Sequence, residues 1–123
     1  MKTILLVEDE DLLREGVQEM LELHGFLVIG AANGIEALTW LSEAQVDLIV
    51  TDMVMPKMDG VDFVAKLRET NTTIPVIVAS GSSESVIARY GLNSIHIPGS
   101  NATIPKPFKS KDLISKIKEL LEM

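Results

Sequence analysis

Short apolar runs of strand length, separated by stretches of helical periodicity, constrain this chain more than any other feature. They lie at Thr3 to Val7, Phe26 to Ala31, Val46 to Thr51 and Pro75 to Ala79, with a weaker one near Ala102 to Ile104. Most of the stronger runs are nearly continuous in apolar character. A strand with one solvated face would alternate, so unbroken runs point to strands buried on both sides, as in a parallel sheet covered by helices.

The segments between the runs read as helices. From Asp11 to His24, the residues Leu13, Val17, Met20 and Leu21 share one face, and Gly25 supplies a stop. Asn33, with Glu36 three positions on, has the form of a capping box ahead of a buried stripe of Ala37, Leu38 and Leu41. Asp59-Gly60 opens a third helix with Phe63, Val64 and Leu67 inward. Ser110 caps a last one in which Leu113, Ile117, Leu120 and Leu121 recur, and Ser83 to Tyr90 is a weaker helical segment. Alternation in units of this size predicts an α/β fold with a doubly wound sheet. Its crossovers are right-handed and its functional groups collect at the carboxyl ends of the strands. With 123 residues and 46% hydrophobic content, the expectation is a single domain over residues 1–123.

The formal charge of −7 disfavours direct binding to nucleic acid, which depends on Lys and Arg displacing counterions from phosphates. The absence of cysteine excludes disulfides, thiolate metal sites and thiol nucleophiles, and suits a cytoplasmic protein. The apolar run at the start is too short for a signal peptide, and no later segment approaches a membrane span.

The residues just past the expected strands are Glu8-Asp9-Glu10, Asp52, Ser80 and Lys106. In a doubly wound sheet they converge on one rim. Carboxylates held together repel one another and have raised pKa values unless a cation sits among them, so the cluster points to a divalent metal. An all-oxygen ligand set favours Mg2+. A carboxylate can accept a phosphoryl group as an acyl phosphate if charge on the transferring oxygens is neutralised, and Lys106 and the Ser80 hydroxyl are suited to that.

Leu6-Val7-Glu8-Asp9, the stretch from Thr51-Asp52-Met53 through Met58-Asp59-Gly60, Ala79-Ser80 and Lys106-Pro107-Phe108 together resemble the receiver domains of two-component response regulators. The resemblance spans nearly the whole chain. It implies a flavodoxin-like fold of five parallel strands ordered 2-1-3-4-5, Asp52 as phosphoacceptor and Asp9 as a direct Mg2+ ligand. It further implies Glu8 as an acid acting on the metal through water, and the Val54 backbone carbonyl as another ligand. Ser80 becomes the hydroxyl switch, Lys106 the phosphate-pairing lysine, and Lys106-Pro107 a cis bond. The implied partners are a histidine kinase or phosphotransfer protein upstream and a protein target downstream, with a homodimer through the final face open. The protein so described is a signalling phosphoacceptor that assists its own phosphorylation and dephosphorylation, not an enzyme acting on external substrate.

Each of these residues also has a plainer reading. Glu8 to Asp11 resembles a solvated acidic helix start, and Asp11 is best left there. Asp52 alone could form an Asx turn before Pro56, and Ser80 a polar loop. His24 and His96 suggest surface positions, whereas Met53, Met55, Met58 and Trp40 suggest packing. Two rival functions remain. One is a degenerate receiver that binds partners without phosphorylation, which the intact acids, Ser80 and Lys106 disfavour. The other is a flavodoxin-like cofactor binder, which would need a Gly/Ser/Thr-rich anion loop where Glu8 to Asp11 stand, or a small hydrolase, for which Asp52-Met53-Val54 lacks the second aspartate expected of an aspartyl-phosphate phosphatase.

Two departures from the family pattern bear on output. Thr103 stands where receivers usually carry an aromatic ring. The stretch from Gly91 to Pro105 is longer than usual and contains Gly99, Ser100, Asn101 and two prolines, which predicts an irregular loop and a shortened or mobile fourth helix.

Overall fold

A computed structural model describes residues 1–81 and 98–123. In chain order these form β1 (Thr3–Val7), α1 (Asp11–Leu23), β2 (Leu27–Ala31), α2 (Gly34–Glu43), β3 (Leu48–Asp52), α3 (Gly60–Arg68), β4 (Val76–Gly81), β5 (Ala102–Lys106) and α4 (Ser110–Leu120). The strands make one parallel sheet ordered β2-β1-β3-β4-β5, as the resemblance implies. The expected helix at Ser83 to Tyr90, together with His96 and residues 91–97 of the expected irregular loop, lies outside the described residues; the end of that stretch, from Ala102, is not loop but part of β5.

The strand pleat sorts the apolar runs between two cores. In β1, Leu5 and Val7 point to one side and Ile4 and Leu6 to the other. β3 and β4 divide likewise, with Ile49, Val76 and Val78 on the first side and Leu48, Val50, Ile77 and Ala79 on the second. Residues from α2 and α3, among them Ala37, Phe63, Val64 and Leu67, close the first core; Leu21 of α1 and Leu113, Ile114 and Ile117 of α4 close the second. Burial on both faces is why β1, β3 and β4 read as unbroken apolar runs; β2 and β5, at the sheet edges, are only partly covered. Each fully buried side chain of this size contributes about 1.5–3 kcal/mol of transfer free energy, so the sheet is a rigid base for whatever its ends carry.

Local chemistry fixes the element boundaries. At the end of α1, the Gly25 amide donates to the Glu22 carbonyl (3.0 Å) and the Phe26 amide to that of Leu21 (3.2 Å). This is a Schellman ending, and Gly25 meets its left-handed requirement with φ of +90°. Asn33 caps α2 by accepting from the Glu36 amide at 2.9 Å, and Asp59 caps α3 by accepting from the Asp62 amide at 3.0 Å. The Glu36 carboxylate accepts from the Ala32 amide at 3.4 Å, one residue beyond the cap amide that a strict capping box uses.

Three sequence expectations need correction. Ser110 is not the cap of the last helix. Lys109 occupies that position without a side-chain cap bond, so Ser110 is already the first helical residue. Leu13 is not a core residue of α1; it is 39% exposed, because it sits at the rim of the sheet where α1 begins and faces the site described below. Trp40 on α2 is likewise 39% exposed and outside both cores. The methionines behave as expected: Met53 and Met55 are buried and Met58 packs against the first core.

Candidate functional site

The strand register brings the acids together. Val7 pairs with Thr51 across β1 and β3, so the next residues, Glu8 and Asp52, emerge side by side at the carboxyl end. Asp52 pairs in turn with Ala79 of β4, which places Ser80 one step further out on the neighbouring strand. Lys106 is the last residue of β5, opposite Gly81. Adjacent strands are about 4.8 Å apart, so from β5 a long side chain is needed to pass over β4 and reach Asp52. The small Ala79 lies beneath that path and lines the same recess as Lys106.

Lys106 makes the crossing. Its Nζ lies 2.7 Å from Glu8 Oε1 and 3.1 Å from Asp52 Oδ2. The side chains are well enclosed, with 6% of Glu8, 14% of Asp52 and 22% of Lys106 exposed. A small cavity of about 20 Å3 lies under them, walled by Leu6, Val17, Val50 and Phe108. The peptide bond from Lys106 to Pro107 is cis.

Glu8 is held at every polar group: its amide donates to the Ala31 carbonyl (2.9 Å), Oε2 accepts from the Glu10 amide (3.2 Å) and Oε1 takes Lys106. Its carbonyl accepts from Arg14 Nη1 at 2.7 Å. Asp52 Oδ1 accepts from the Met53 amide at 2.8 Å, leaving Oδ2 toward the lysine. Oxygens of Glu8, Asp9 and Asp52 lie within 4.8 Å of one another. Val54 sits two residues beyond Asp52 in the loop to α3, half-buried against the first core.

The loop after β3 comes this close because of Gly60. A Cβ there would fall 2.5 Å from the Asp52 carbonyl oxygen and 3.0 Å from Met53 Cα. The Gly60 amide instead donates to the Met53 carbonyl at 2.8 Å, seating the start of α3 against the end of β3.

The electrostatics follow from burial and crowding. Burial pushes the Asp52 carboxyl above its ordinary value, and the charge of Glu8 adds to this; Lys106 and the Met53 amide offset it only in part. Asp9 is also raised, first by desolvation and then by its hydrogen bond and repulsion with Glu8. Burial alone would lower Lys106, but its hydrogen bond to Glu8 and the charges of Asp52 and Glu8 outweigh that and raise it. The cluster is an excess of hard anionic oxygen compensated by one ammonium. That donor set fits a small divalent cation such as Mg2+.

A family model described as the response regulator receiver domain matches residues 4–118. The chain belongs to this receiver family. Receivers of this kind are the phosphoaccepting modules of two-component systems, and phosphorylation and Mg2+ are typical of them. The chain is 41% identical over 122 residues to the sensor kinase CckA of Brucella abortus, covering 98% of this chain and 12% of that protein. It is 36% identical over 121 residues to the transcriptional regulatory protein CpxR of Escherichia coli, covering 98% of this chain and 50% of the relative. The match therefore spans half of one relative and a small part of the other. Among solved structures, the receiver domain of a Syntrophus aciditrophicus histidine kinase superposes with TM-score 0.86 at 34% identity, covering 99% of this chain and 91% of that one. The response regulator TrrA of Thermotoga maritima, in complex with Mg2+-BeF, superposes with TM-score 0.82 at 27% identity, covering 98% of this chain and 99% of that one. Among the described residues, no helix is long and apolar enough to cross a membrane.

Geometry thus unites Glu8, Asp9, Asp52 and Lys106, with Ser80 on the adjoining strand end. The sequence reading missed Arg14. Its position three residues after Asp11 and six after Glu8 is the pattern that could have flagged a side chain folding back on the acidic turn.

Proposed function

We propose that this receiver accepts a phosphoryl group on Asp52 from a phosphohistidine of a sensor kinase or phosphotransfer protein, and that the modified state alters binding to a downstream protein. The observation that carries the reading is the convergence of Glu8, Asp9 and Asp52 within 4.8 Å, with Lys106 bonded to two of them. An acidic cluster alone is common on protein surfaces. One that encloses a lysine and leaves a carboxylate oxygen at the rim is suited to a phosphate.

Asp9, Glu8, Asp52 and the Val54 carbonyl are the groups that would hold Mg2+. When bound, the ion neutralises charge on the acceptor and on the transferring oxygens. Asp52 Oδ2 supplies the nucleophile: a new O–P bond forms as the donor N–P bond breaks. The electron pair of that bond leaves on the imidazole nitrogen, so no proton need be removed from the acceptor. Met53 N–H fixes Oδ1 and so orients Oδ2. Lys106 exchanges its bond to Asp52 for one to a phosphoryl oxygen, where charge assistance makes the contact strong. The Ser80 hydroxyl, one residue beyond the strand partner of Asp52, donates to another oxygen.

The experiment is intact-mass analysis after incubation with acetyl phosphate and Mg2+. One added phosphoryl group is expected on the wild type and none on Asp52→Asn. No adduct on the wild type, or equal adducts on both, rejects the reading.

A further inference from the structure

We infer that Arg14 is a positioning residue for the metal site, acting on the Glu8 backbone and not on the metal or the phosphoryl group. Resting on the reading above, this names a residue in α1 that the acidic motif itself does not contain. The guanidinium donates Nη1 to the Glu8 carbonyl at 2.7 Å and Nη2 to Asp11 Oδ1 at 2.8 Å, and the side chain is only 19% exposed. Its stem lies across β2. A Cβ built on Gly30 would meet Arg14 Cδ at 3.3 Å, so the strand surface is bare where the arginine crosses it.

These contacts tie three pieces together. The Glu8 amide is fixed to Ala31 at the end of β2, its carbonyl to Arg14, and Arg14 to the first turn of α1 through Asp11. The peptide from Glu8 to Asp9 is thereby clamped at the point where the chain leaves the sheet. Its orientation decides where the Asp9 carboxylate points, because Asp9 follows directly and is itself exposed. Partners one step removed from a metal commonly set affinity through ligand orientation.

Charge and positioning predict opposite signs. Arg14 is a cation beside a cation site, so on electrostatics alone its removal tightens Mg2+ binding. If its role is to hold the Glu8 carbonyl, its removal weakens binding. Arg14→Met keeps an apolar stem over Gly30 but loses both hydrogen bonds and the charge. Arg14→Lys keeps the charge and one donor able to reach the carbonyl.

Calorimetric titration of the full chain with Mg2+ separates the cases. Arg14→Met should bind Mg2+ about tenfold more weakly than wild type, in line with losses at such supporting positions, and Arg14→Lys should fall between the two. Met-variant affinity equal to or above wild type, or a lysine variant no better than the methionine one, overturns the inference. A wild type that binds no Mg2+ would instead reject the metal reading on which it rests, so the two failures are distinguishable.

Discussion

Lys106 Nζ stands nearer to Glu8 than to the expected acceptor, 2.7 Å from Glu8 Oε1 against 3.1 Å from Asp52 Oδ2. The lysine is therefore the cation that reconciles two enclosed carboxylates, and phosphorylation would have to draw it from that pairing. Removing the lysine from such a set leaves two carboxylates uncompensated, which outweighs the worth of any single contact. Lys106→Met should lower stability by about 1–3 kcal/mol without Mg2+, the scale for orphaned polar groups. Urea unfolding in chelator measures it, and an unchanged midpoint would contradict the structure.

Asp52 should behave in the opposite sense. Its folded-state pKa is raised by burial and by Glu8, so the unfolded chain ionises first as pH rises. The resulting penalty is absent below the ordinary carboxyl value, grows up to the raised value and is constant above it. Asp52→Asn should therefore be more stable than wild type at neutral pH without Mg2+, by about 1 kcal/mol on the scale of relieved active-site strain. The advantage should shrink as pH falls through that window. Urea titrations of both proteins at several pH values test this; an advantage that grows on acidification would contradict it.

Gly60 is where packing governs chemistry. A methyl group at this position would collide with the backbone of Asp52 and Met53, which has no flexible end to swing aside. Gly60→Ala should destabilise the fold by about 1–3 kcal/mol, as overpacking does, and slow phosphoryl uptake from acetyl phosphate. Uptake at the wild-type rate would show that Asp52 tolerates a displaced helix start.

Asn101 anchors the far side of the sheet. Its Oδ1 accepts from the Val76 amide at 2.9 Å and from Arg68 Nη2 at 3.1 Å, and its own amide donates to the Val76 carbonyl at 2.8 Å. Arg68 also donates twice to the Gly99 carbonyl, at 3.0 and 2.8 Å. Asn101→Ala should lower stability by about 1–2 kcal/mol, since it leaves the Val76 amide unmatched, while phosphorylation of the folded protein persists. Loss of phosphoryl uptake in a folded variant would contradict the separation of this anchor from the site.

The fold was legible because the physics that sets it is local. Unbroken apolar strands, Gly25 as a helix stop and Asn33 and Asp59 as caps all read directly from residue type and spacing. The acids were legible because a doubly wound sheet gathers its strand ends. What escaped depends on side-chain reach. That Lys106 would bond Glu8 as well as Asp52 follows from its length over Ala79, and that Arg14 would fold back on Glu8 follows from its packing across Gly30. The polar stretch at Gly99 to Asn101 reads as a loop from composition, and its role as an anchor emerges only with Arg68 beside it. Leu13 was misplaced because helical periodicity identifies a face but not where, along that face, the core ends; Ser110 was misplaced because a capping residue type does not fix the helix start to the residue.

The central claim is that Asp52 becomes an acyl phosphate, and borohydride trapping tests it most directly. The protein is incubated with acetyl phosphate and Mg2+, reduced with sodium borohydride and mapped by peptide mass spectrometry. Reduction of an aspartyl phosphate gives homoserine. Homoserine at position 52, dependent on both donor and Mg2+, is the expected result; an unmodified Asp52, or conversion at another acid such as Asp9, would contradict the account.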